Sequence, residues 1–353
     1  MANKVLMKGN EALAEAAIRC GCRYFFGYPI TPQTELAAYM AKKMPKINGT
    51  FLQAESEIAA INMVYGASGA GARVMTSSSS PGISLKQEGI SYIAGADLPC
   101  IIVNIVRGGP GLGGIQPAQS DYFQATKGGG HGDYHLIVYA PSSVQELADL
   151  ITMAFEKSDE YRVPAMIMGD GMLGQMMEPV EFQEPINLED LPKKPWATSG
   201  TKMKRKKNII NSLYLTPEEL EDLNNIRNER YNKIIENETL YEEYQTEDAD
   251  IILVAYGTMA RIALSAIQVA RNLGLKVGLI RPITLWPFPT KILQKRAKTA
   301  KMFLTIEMSL GQMVEDVRLS VNGKKPVYFY GRNGGMVPTQ EAIIDEIKKL
   351  LNV

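Results

Sequence analysis

From residue 1 to about 180 the chain alternates short apolar runs with segments whose apolar positions recur at helical spacing. Residues 8–20, KGNEALAEAAIRC, bring Leu13, Ala16, Ala17 and Cys20 onto one helical face. The runs RYFFGYPI and TFLQA follow, then a helix-like EIAAINMVYGASGAGA and the run RVMTS. A further helix candidate, ISLKQEGISYIAG, precedes CIIVNIVR; LIVYAP, a helix from about Val144 to Lys157, and VPAMIMGDG complete the unit. Short runs rich in valine and isoleucine, separated by helices, predict an α/β domain with a mostly parallel, doubly wound sheet covered on both faces.

That rhythm breaks between residues 181 and 250. Residues 193–207, KKPWATSGTKMKRKK, carry seven basic side chains and no acid, whereas residues 216–250 carry twelve acids against three bases. Thr216, Pro217 and Glu219 form a helix start, with proline at the first helical position and an acid three residues after the cap. The segment reads as a charged linker, either a solvated face or an arm that docks on another subunit. From Asp250 the runs DIILVAYG, KVGLIRPI, MFLTIEM and PVYFYG alternate with helical segments and predict a second, smaller α/β unit. The expected division is therefore 1–185, a linker over 186–249, and 250–353.

Lysine plus arginine equals aspartate plus glutamate, 38 against 38, so nothing in the global charge favours nucleic acid or an anionic membrane surface. Cysteine is limited to Cys20, Cys22 and Cys100, and His131 and His135 show no finger-like spacing with them. No bound metal and no iron–sulfur cluster are expected on this chain. The low, odd cysteine count fits a reduced cytoplasmic protein. Neither a signal peptide nor a membrane span is expected.

Several motifs bear on chemistry. Gly109, Gly111 and Gly114 spell G-x-G-x-x-G after CIIVNIVR, but Pro117 and polar residues follow where a helix should open. A mobile substrate loop is the better reading. Gly169-Asp170-Gly171 opens like a diphosphate and Mg²⁺ motif, yet residues 193–198 read KKPWAT where an asparagine ligand is needed, which leaves a strand-end turn. Ser77–Ser80 before Pro81 suit either a helix cap or hydrogen bonds to a ligand. In GYPITP two prolines bracket Thr31 and stop the strand at the sheet's carboxyl edge, where ligands of open α/β sheets bind. LQAESEIAAINMVYG then begins an apolar helix, with Ile58, Ile61, Val64 and Tyr65 expected to wall Glu57. Glu55 and Glu57 would each complement the helix N-terminus, and the residues alone do not choose between them.

Glu57-Ile-Ala-Ala-Ile-Asn-Met-Val-Tyr-Gly66 resembles the E-x-x-A-A-x-x-A-x-G helix of the pyrimidine-binding domain of thiamine-diphosphate enzymes, and Glu55 is out of that register. With YPITP, TSSSSPGISL, RGGPGLGGIQPAQSDYFQA, GDG near residue 170 and EMSLGQM at 307–313, nearly the whole chain outside the linker is similar to the alpha subunit of the 2-oxoacid:ferredoxin oxidoreductases. AESEIAA, SSSPG and GPGLGG look most like the members acting on branched-chain 2-oxoacids such as 2-oxoisovalerate. 2-Oxoglutarate and pyruvate are the alternative substrates.

The resemblance implies a pyrimidine-binding domain followed by a transketolase-C-terminal-like domain. It implies oxidative decarboxylation of a 2-oxoacid to acyl-CoA and CO₂ with reduction of ferredoxin. Glu57 would act catalytically by hydrogen-bonding a ring nitrogen of the aminopyrimidine, with Pro29, Ile30 and Thr31 also at the cofactor. Thr31 and Arg107 would bind substrate, Arg107 through a charge-assisted pair with the carboxylate. Ser79, Ser80, Gly109 and Gly111 are loop candidates. The plain alternatives are a satisfied turn hydroxyl for Thr31 and a surface ion pair for Arg107. Thiamine diphosphate would be shared at a subunit interface, with Mg²⁺ and the diphosphate on one partner subunit and the clusters on a ferredoxin-like subunit. A gamma subunit, coenzyme A and ferredoxin complete the implied partners. A transketolase-like carbon–carbon ligase half and a non-catalytic scaffold subunit are the competing readings from other classes.

Overall fold

The computed structural model describes residues 4–352. The chain begins with β1 (Val5–Lys8), α1 (Gly9–Arg19), β2 (Tyr24–Gly27), α2 (Thr34–Lys43), β3 (Thr50–Gln53) and α3 (Glu57–Gly69). It continues with β4 (Val74–Ser78), α4 (Ser80–Gly95), β5 (Ile101–Val106), α5 (Tyr122–Thr126), β6 (Ile137–Tyr139), α6 (Val144–Tyr161), β7 (Ala165–Asp170), α7 (Gly171–Gln175) and β8 (Met177–Val180). Next come α8 (Pro217–Asn237) and β9 (Tyr241–Tyr244). The remainder is β10 (Ile251–Val254), α9 (Gly257–Asn272), β11 (Val277–Pro282), β12 (Thr284–Trp286), α10 (Thr290–Arg296), β13 (Met302–Glu307), α11 (Met313–Val321), β14 (Val327–Gly331) and α12 (Gln340–Leu351).

The first sheet has seven strands in the order β12-β6-β7-β5-β4-β2-β3, all parallel except β12, which runs antiparallel to β6. β5 lies at its centre and shows why the apolar run is unbroken. Ile101, Val103 and Ile105 enter the core built with α1 and α6, and Ile102 and Val106 enter the core built with α3 and α4. Alternate side chains of one strand thus fill both layers. The second sheet, β14-β13-β10-β11-β9, is parallel except for β9 at its edge. β1 and β8 pair separately. Among the described residues no helix is long and apolar enough to cross a membrane.

The stretch expected to connect the units does more than connect. It crosses the first unit, where Ile186 N–H donates to Arg19 O at 2.8 Å and Thr198 N–H to Gly69 O at 2.9 Å. α8 starts at Pro217 as its sequence predicts, although Thr216 makes no capping bond. Its inner face packs on its own chain: Ile234 is buried, and Arg227 and Arg230 grip Asp97 at 3.2 and 2.6 Å. β9 then joins the second sheet and, in exchange, β12 leaves the second unit to edge the first sheet.

Arg281 on β11 locks these crossings together. Its guanidinium donates to Glu146 on α6 at 2.6 and 2.8 Å, to Ser142 Oγ at 2.9 Å and to Glu242 on β9 at 3.0 Å, and the residue is 2% exposed. The carboxyl of Glu146 is held below the ordinary carboxylate range: burial pushes it up, and the Arg281 and Ser142 hydrogen bonds outweigh that push. His135 stacks on Trp286 of β12 at 4.4 Å, and Tyr231 of α8 meets both rings edge-on. Breaking a buried ion pair by deleting one partner strands the other charge. Arg281→Met is expected to destabilise the chain by roughly 3 kcal/mol, measured as a lowered urea midpoint. A midpoint equal to wild type would rule out this clasp as a structural tie.

Candidate active site at the carboxyl edge of the first sheet

After β2 the GYPITP segment turns across the sheet edge, and its carbonyls are tied down by side chains. Asn10, fully buried, donates Nδ2–H to Pro32 O at 2.8 Å. Buried Gln33 accepts from Ser77 Oγ at 2.6 Å. The Thr31–Pro32 peptide is cis. Pro29 and Thr31 are exposed and Ile30 is half-buried. Thr31 O accepts from Arg107 Nη1 at 2.9 Å, which binds the turn to the end of β5.

Ser56 caps α3 by accepting Ala59 N–H at 3.1 Å, so Glu57 becomes the first helical residue. Here the structure separates the two acids: Glu55 is exposed and Glu57 is only 6% exposed. Its walls differ in part from expectation. Ile61 and Val64 are fully buried, but Ile58 is 50% exposed, because the next residue on a helix points about 100° away. α4 supplies the missing wall. A Cβ at Gly82 would lie 2.7 Å from Glu57 Oε1 and 2.0 Å from Ser78 Oγ, so only glycine admits this approach. Among the described residues no hydrogen-bond donor reaches the Glu57 carboxylate.

Ser79 sits at the N-cap of α4, yet its hydroxyl makes no capping bond. Asn104 on β5 does that work: its Oδ1 accepts Ser80 N–H at 3.2 Å while its Nδ2 donates to Asp121 at 2.9 Å. Burial pushes the Asp121 carboxyl above the usual range, with Asn104 opposing. Ser80 Oγ accepts Arg107 N–H at 3.1 Å and donates to Arg107 O at 3.3 Å. The hydroxyls of Ser78 and Ser79 are buried without partners among the described residues.

The surface-ion-pair reading of Arg107 is corrected by its environment. The residue is buried, its Nη atoms donate to Thr31 O and Leu112 O at 2.9 and 3.0 Å, and Nε has no partner among the described residues. Among the described residues no carboxylate pairs with it. A buried guanidinium held by neutral carbonyls keeps its full charge available to an incoming anion.

The glycine-rich segment does not open a helix. Gly114 N–H donates to Gly108 O at 2.9 Å, Arg107 pairs with Pro117, and Gly113, at φ 55°, would place a Cβ 1.8 Å from Gly108 O. Gly109 and Gly111 stand exposed on this closed turn. The turn is bolted to the second unit. Gln119 and Met308 exchange hydrogen bonds at 2.9 and 3.0 Å, and Gln312 donates to Ser120 O at 2.7 Å. Glu307, fully buried, accepts the N–H groups of Gln312, Met313 and Val314 at 3.1, 3.0 and 3.0 Å and so anchors α11. A cleft of about 700 Å³ lies between Ser80, Pro81, Gly109 to Leu112 and the Met308 to Leu310 segment.

Asp170 is buried at the N-cap of α7, with Oδ1 accepting the N–H groups of Met172 and Leu173 at 2.9 and 3.1 Å, the strand-end turn expected of it. The three cysteines are free and buried, and burial pushes the Cys22 and Cys100 thiols up to about 12. Sequence reasoning missed Asn104, Gln119 and Lys86. Lys86 is fully buried on α4 and donates from Nζ to Thr76 Oγ1 at 3.0 Å. Burial pushes its ammonium down to about 8, with the charge of Glu57 pulling the other way. A signal existed: Lys86 interrupts the apolar stripe Ile83, Ile90, Ile93 at helical spacing.

Comparison with known proteins supplies the remaining information. Residues 15–247 match the family model for pyruvate flavodoxin/ferredoxin oxidoreductase, thiamine diphosphate-binding, and residues 249–343 match that for pyruvate:ferredoxin oxidoreductase core domain II. The ketoisovalerate oxidoreductase subunit VorB of Methanothermobacter marburgensis is 49% identical over 345 residues, covering 98% of this chain and 97% of that protein. The 2-oxoglutarate synthase subunit KorA of Methanocaldococcus jannaschii is 37% identical over 359 residues, covering 96% and 97%. Among solved structures, a 2-oxoglutarate:ferredoxin oxidoreductase from Magnetococcus marinus, with 2-oxoglutarate, coenzyme A and succinyl-CoA bound, superposes with a TM-score of 0.89 at 28% identity. That match takes in 99% of this chain, which spans 65% of that structure's chain. A split gene transketolase shares the fold at a TM-score of 0.62 and 14% identity, over 98% of each chain.

The burial of Lys86 ties stability to pH. A lysine whose folded-state value is lowered from 10.5 to about 8 opposes folding below about 8, and the penalty fades as pH rises toward 10.5. Relative to Lys86→Met, the wild-type chain is therefore expected to gain melting temperature between about pH 8 and 10.5. A difference between the two that stays constant over that window would contradict the burial of a lone ammonium.

Proposed function

Because this chain belongs to the pyruvate flavodoxin/ferredoxin oxidoreductase family, we propose that it is the subunit of a heteromeric complex that contacts the aminopyrimidine end of thiamine diphosphate. The complex oxidatively decarboxylates a branched-chain 2-oxoacid, yielding acyl-CoA and CO₂ and reducing ferredoxin. The substrate class rests on the full-length likeness to ketoisovalerate oxidoreductase subunits. The observation that carries the reading is Glu57, a buried carboxylate at the carboxyl edge of a parallel sheet, without a donor among the described residues.

The residues at this edge fit an aminopyrimidine. A carboxylate out of water needs a donor, and a protonated ring nitrogen is one. The gap at Gly82 and the unpartnered hydroxyls of Ser78 and Ser79 leave further room and hydrogen-bonding capacity beside it. Bound thiamine diphosphate supplies the carbon nucleophile and takes up the electron pair left when CO₂ departs. Glu57 would hold the proton it shares with the ring, and Pro29, Ile30 and Thr31 would border the cofactor. Arg107 would draw the oxoacid carboxylate to the end of β5, with Thr31 beside it and the loop residues Ser79, Ser80, Gly109 and Gly111 shaping the cleft.

Mg²⁺ and the diphosphate are assigned to a partner subunit, since Asp170 spends its Oδ1 on capping α7. The iron–sulfur clusters are assigned to a ferredoxin-like subunit, alongside a gamma subunit, all in the cytoplasm. Exposed Tyr28, Leu52, Ile58 and Leu85 on elements around the site give such a partner an apolar surface. For the domains we propose 1–185 and 250–353, with 186–249 as the connection that lends β9 to the second sheet.

The purified single chain is expected to show no 2-oxoacid-dependent reduction of viologen; turnover by this chain alone would overturn the shared-site reading. In the reconstituted complex, Glu57→Gln is expected to lower kcat by about 10²–10⁴ and to slow deuterium exchange at the cofactor's reactive carbon. Exchange at the wild-type rate would remove Glu57 from its role. Arg107→Ala is expected to raise KM for the oxoacid by roughly tenfold or more, the worth of a charge-assisted hydrogen bond, with a smaller effect on kcat. An unchanged KM would exclude it as the carboxylate's partner.

A further inference from the structure

The strip formed by residues 202–222 takes no part in the proposed chemistry, and it lies far from it. Asn208 Nδ2 donates to Pro195 O and Ala197 O at 2.6 and 2.9 Å and pins the chain there to the body. Beyond Asn208 the chain passes the C-terminal ends of α3 and α4. A Cβ at Gly69 would lie 3.8 Å from Ile210, and one at Gly95 would lie 3.4 Å from Ser212. Both helices begin at the carboxyl edge of the first sheet, with Glu57 and Ser80, so the strip covers the opposite, amino edge.

Exposure alternates along the strip. Ile210, Ser212 and Tyr214 are half-buried against the body, whereas Ile209, Asn211, Leu213 and Leu215 are exposed. The three apolar side chains of the outer row are 74%, 71% and 84% exposed. That period of two belongs to an extended strand. Among the described residues, however, no backbone–backbone hydrogen bond involves residues 209–215. Leu213 N–H donates instead to Asn211 Oδ1 at 2.8 Å. An extended segment with an apolar outer row and unpaired backbone is a template on which another chain can lie.

The flanks carry opposite charge. Lys202, Lys204, Arg205, Lys206 and Lys207 stand exposed before the apolar row, and Glu218, Glu219, Glu221 and Asp222 stand exposed after it. Among the described residues none of these side chains enters an ion pair; the pairs of this stretch run through Lys194, Arg227 and Arg230. An extended chain advances about 3.3 Å per residue, so residues 208–216 separate the flanks by up to about 30 Å. That is well beyond a Debye length of about 8 Å. A charge run alone is ordinarily a solvated face. Here two complementary runs bracket an exposed apolar row and are held away from each other.

We propose that this strip is the docking surface for a second copy of the chain, laid antiparallel across it about a two-fold axis near Ser212. A two-fold interface uses one patch on both copies, so that patch must complement itself. The strip does so only in the antiparallel sense. Leu215 of one copy then covers Ile209 of the other, Leu213 lies against Asn211, and the bases at 204–207 meet the acids at 218–221 at both ends. A partner of single charge would use one flank and repel the other. The pairing leaves the carboxyl edge, with Glu57 and the cleft, open to a different subunit. Because the strip is narrow and its ion pairs are exposed, the association is weak and salt-sensitive.

The test follows the oligomeric state of the full chain by sedimentation between about 1 µM and 1 mM. The wild-type chain is expected to dimerise near 0.1 M salt and to associate at least tenfold more weakly at 1 M, where the Debye length falls to about 3 Å. The triple variant Lys204→Glu, Lys206→Glu, Lys207→Glu makes the strip acidic throughout; Glu218→Lys, Glu219→Lys, Glu221→Lys makes it basic throughout. Arg205 is kept because it braces the segment by donating to Ser199 O at 2.6 Å. Each triple variant alone is expected to be monomeric, and the two mixed are expected to associate one to one. Docking of an unrelated acidic or basic partner would not produce that rescue. A wild-type chain that stays monomeric overturns the proposal, as does a dimer that the reversals leave unchanged. So does a mixture that fails to associate although both variants keep the wild-type circular dichroism. Should either variant lose that spectrum, Leu213→Asp carries the test: it is expected to weaken the dimer at least tenfold, and an unchanged dimer overturns the proposal.

Discussion

Taking a carboxylate out of water costs several kcal/mol unless new partners replace its hydration. Glu57 is held in that situation by backbone packing alone. Ser56 fixes where α3 begins, which makes Glu57 the first helical residue and turns its side chain toward α4. Gly82 and Gly89 let α4 come so close that a Cβ at either position would collide with Glu57 or Ile61. The position of the acid is therefore settled by two helix–helix contacts that do not involve its charge. On the proposed reading, in which Glu57 shares a proton with a ligand, such fixing is a gain, because little is left to reorganise when the ligand arrives.

The other half of the cleft depends on the second unit. Loop residues 117–123 reach it through Gln119 and Gln312, whose side-chain amides bond backbone groups across the junction on both sides. Arg281 and the His135–Trp286–Tyr231 ring cluster fix the same two units further along. These polar ties overlie an apolar core that also runs through both units, with the Tyr122 and Tyr256 rings in contact, and a buried polar network is satisfied only in one arrangement. Together they set the distance between the Gly109 turn and Met308, and with it the width of the cleft.

Much of this was legible in the sequence, and the failures have physical reasons. The order of elements followed from runs such as CIIVNIVR, whose alternate residues feed two cores and so leave no polar gap except Asn104. Asn104 drew no notice within that run, and it caps α4 by accepting Ser80 N–H. β9 and β12 escaped notice because strands of four and three residues carry little pattern, and their sheet is chosen by tertiary contact. α2 was likewise passed over, with only Leu36 and Met40 of its residues buried. Ile58 was taken for a wall because it adjoins Glu57, although helical geometry sends it outward. The choice of Glu57 over Glu55 needed the family register; in the structure Glu57 is buried and Glu55 is exposed. Gln119 and Gln312 carried no signal, since a loop glutamine reads as solvated until its partner is seen.

The distribution of unsatisfied groups also bears on the proposal that the site is divided between chains. Among the described residues the Ser78 and Ser79 hydroxyls and Arg107 Nε are buried without partners, while Ile58, Leu52, Leu85 and Tyr28 on the surrounding elements are exposed. In the free chain both sets are unfavourable, the first lacking hydrogen bonds and the second wetting apolar surface. A small ligand alone would satisfy the polar set and leave the apolar set wet. A partner subunit alone would cover the apolar set and seal the polar groups in without partners. On the proposed reading each would therefore improve the binding of the other, a positive coupling between cofactor and assembly that must be reciprocal. On the proposed reading, the half-site carried by this chain is weak by construction, and tight cofactor binding is a property of the closed interface.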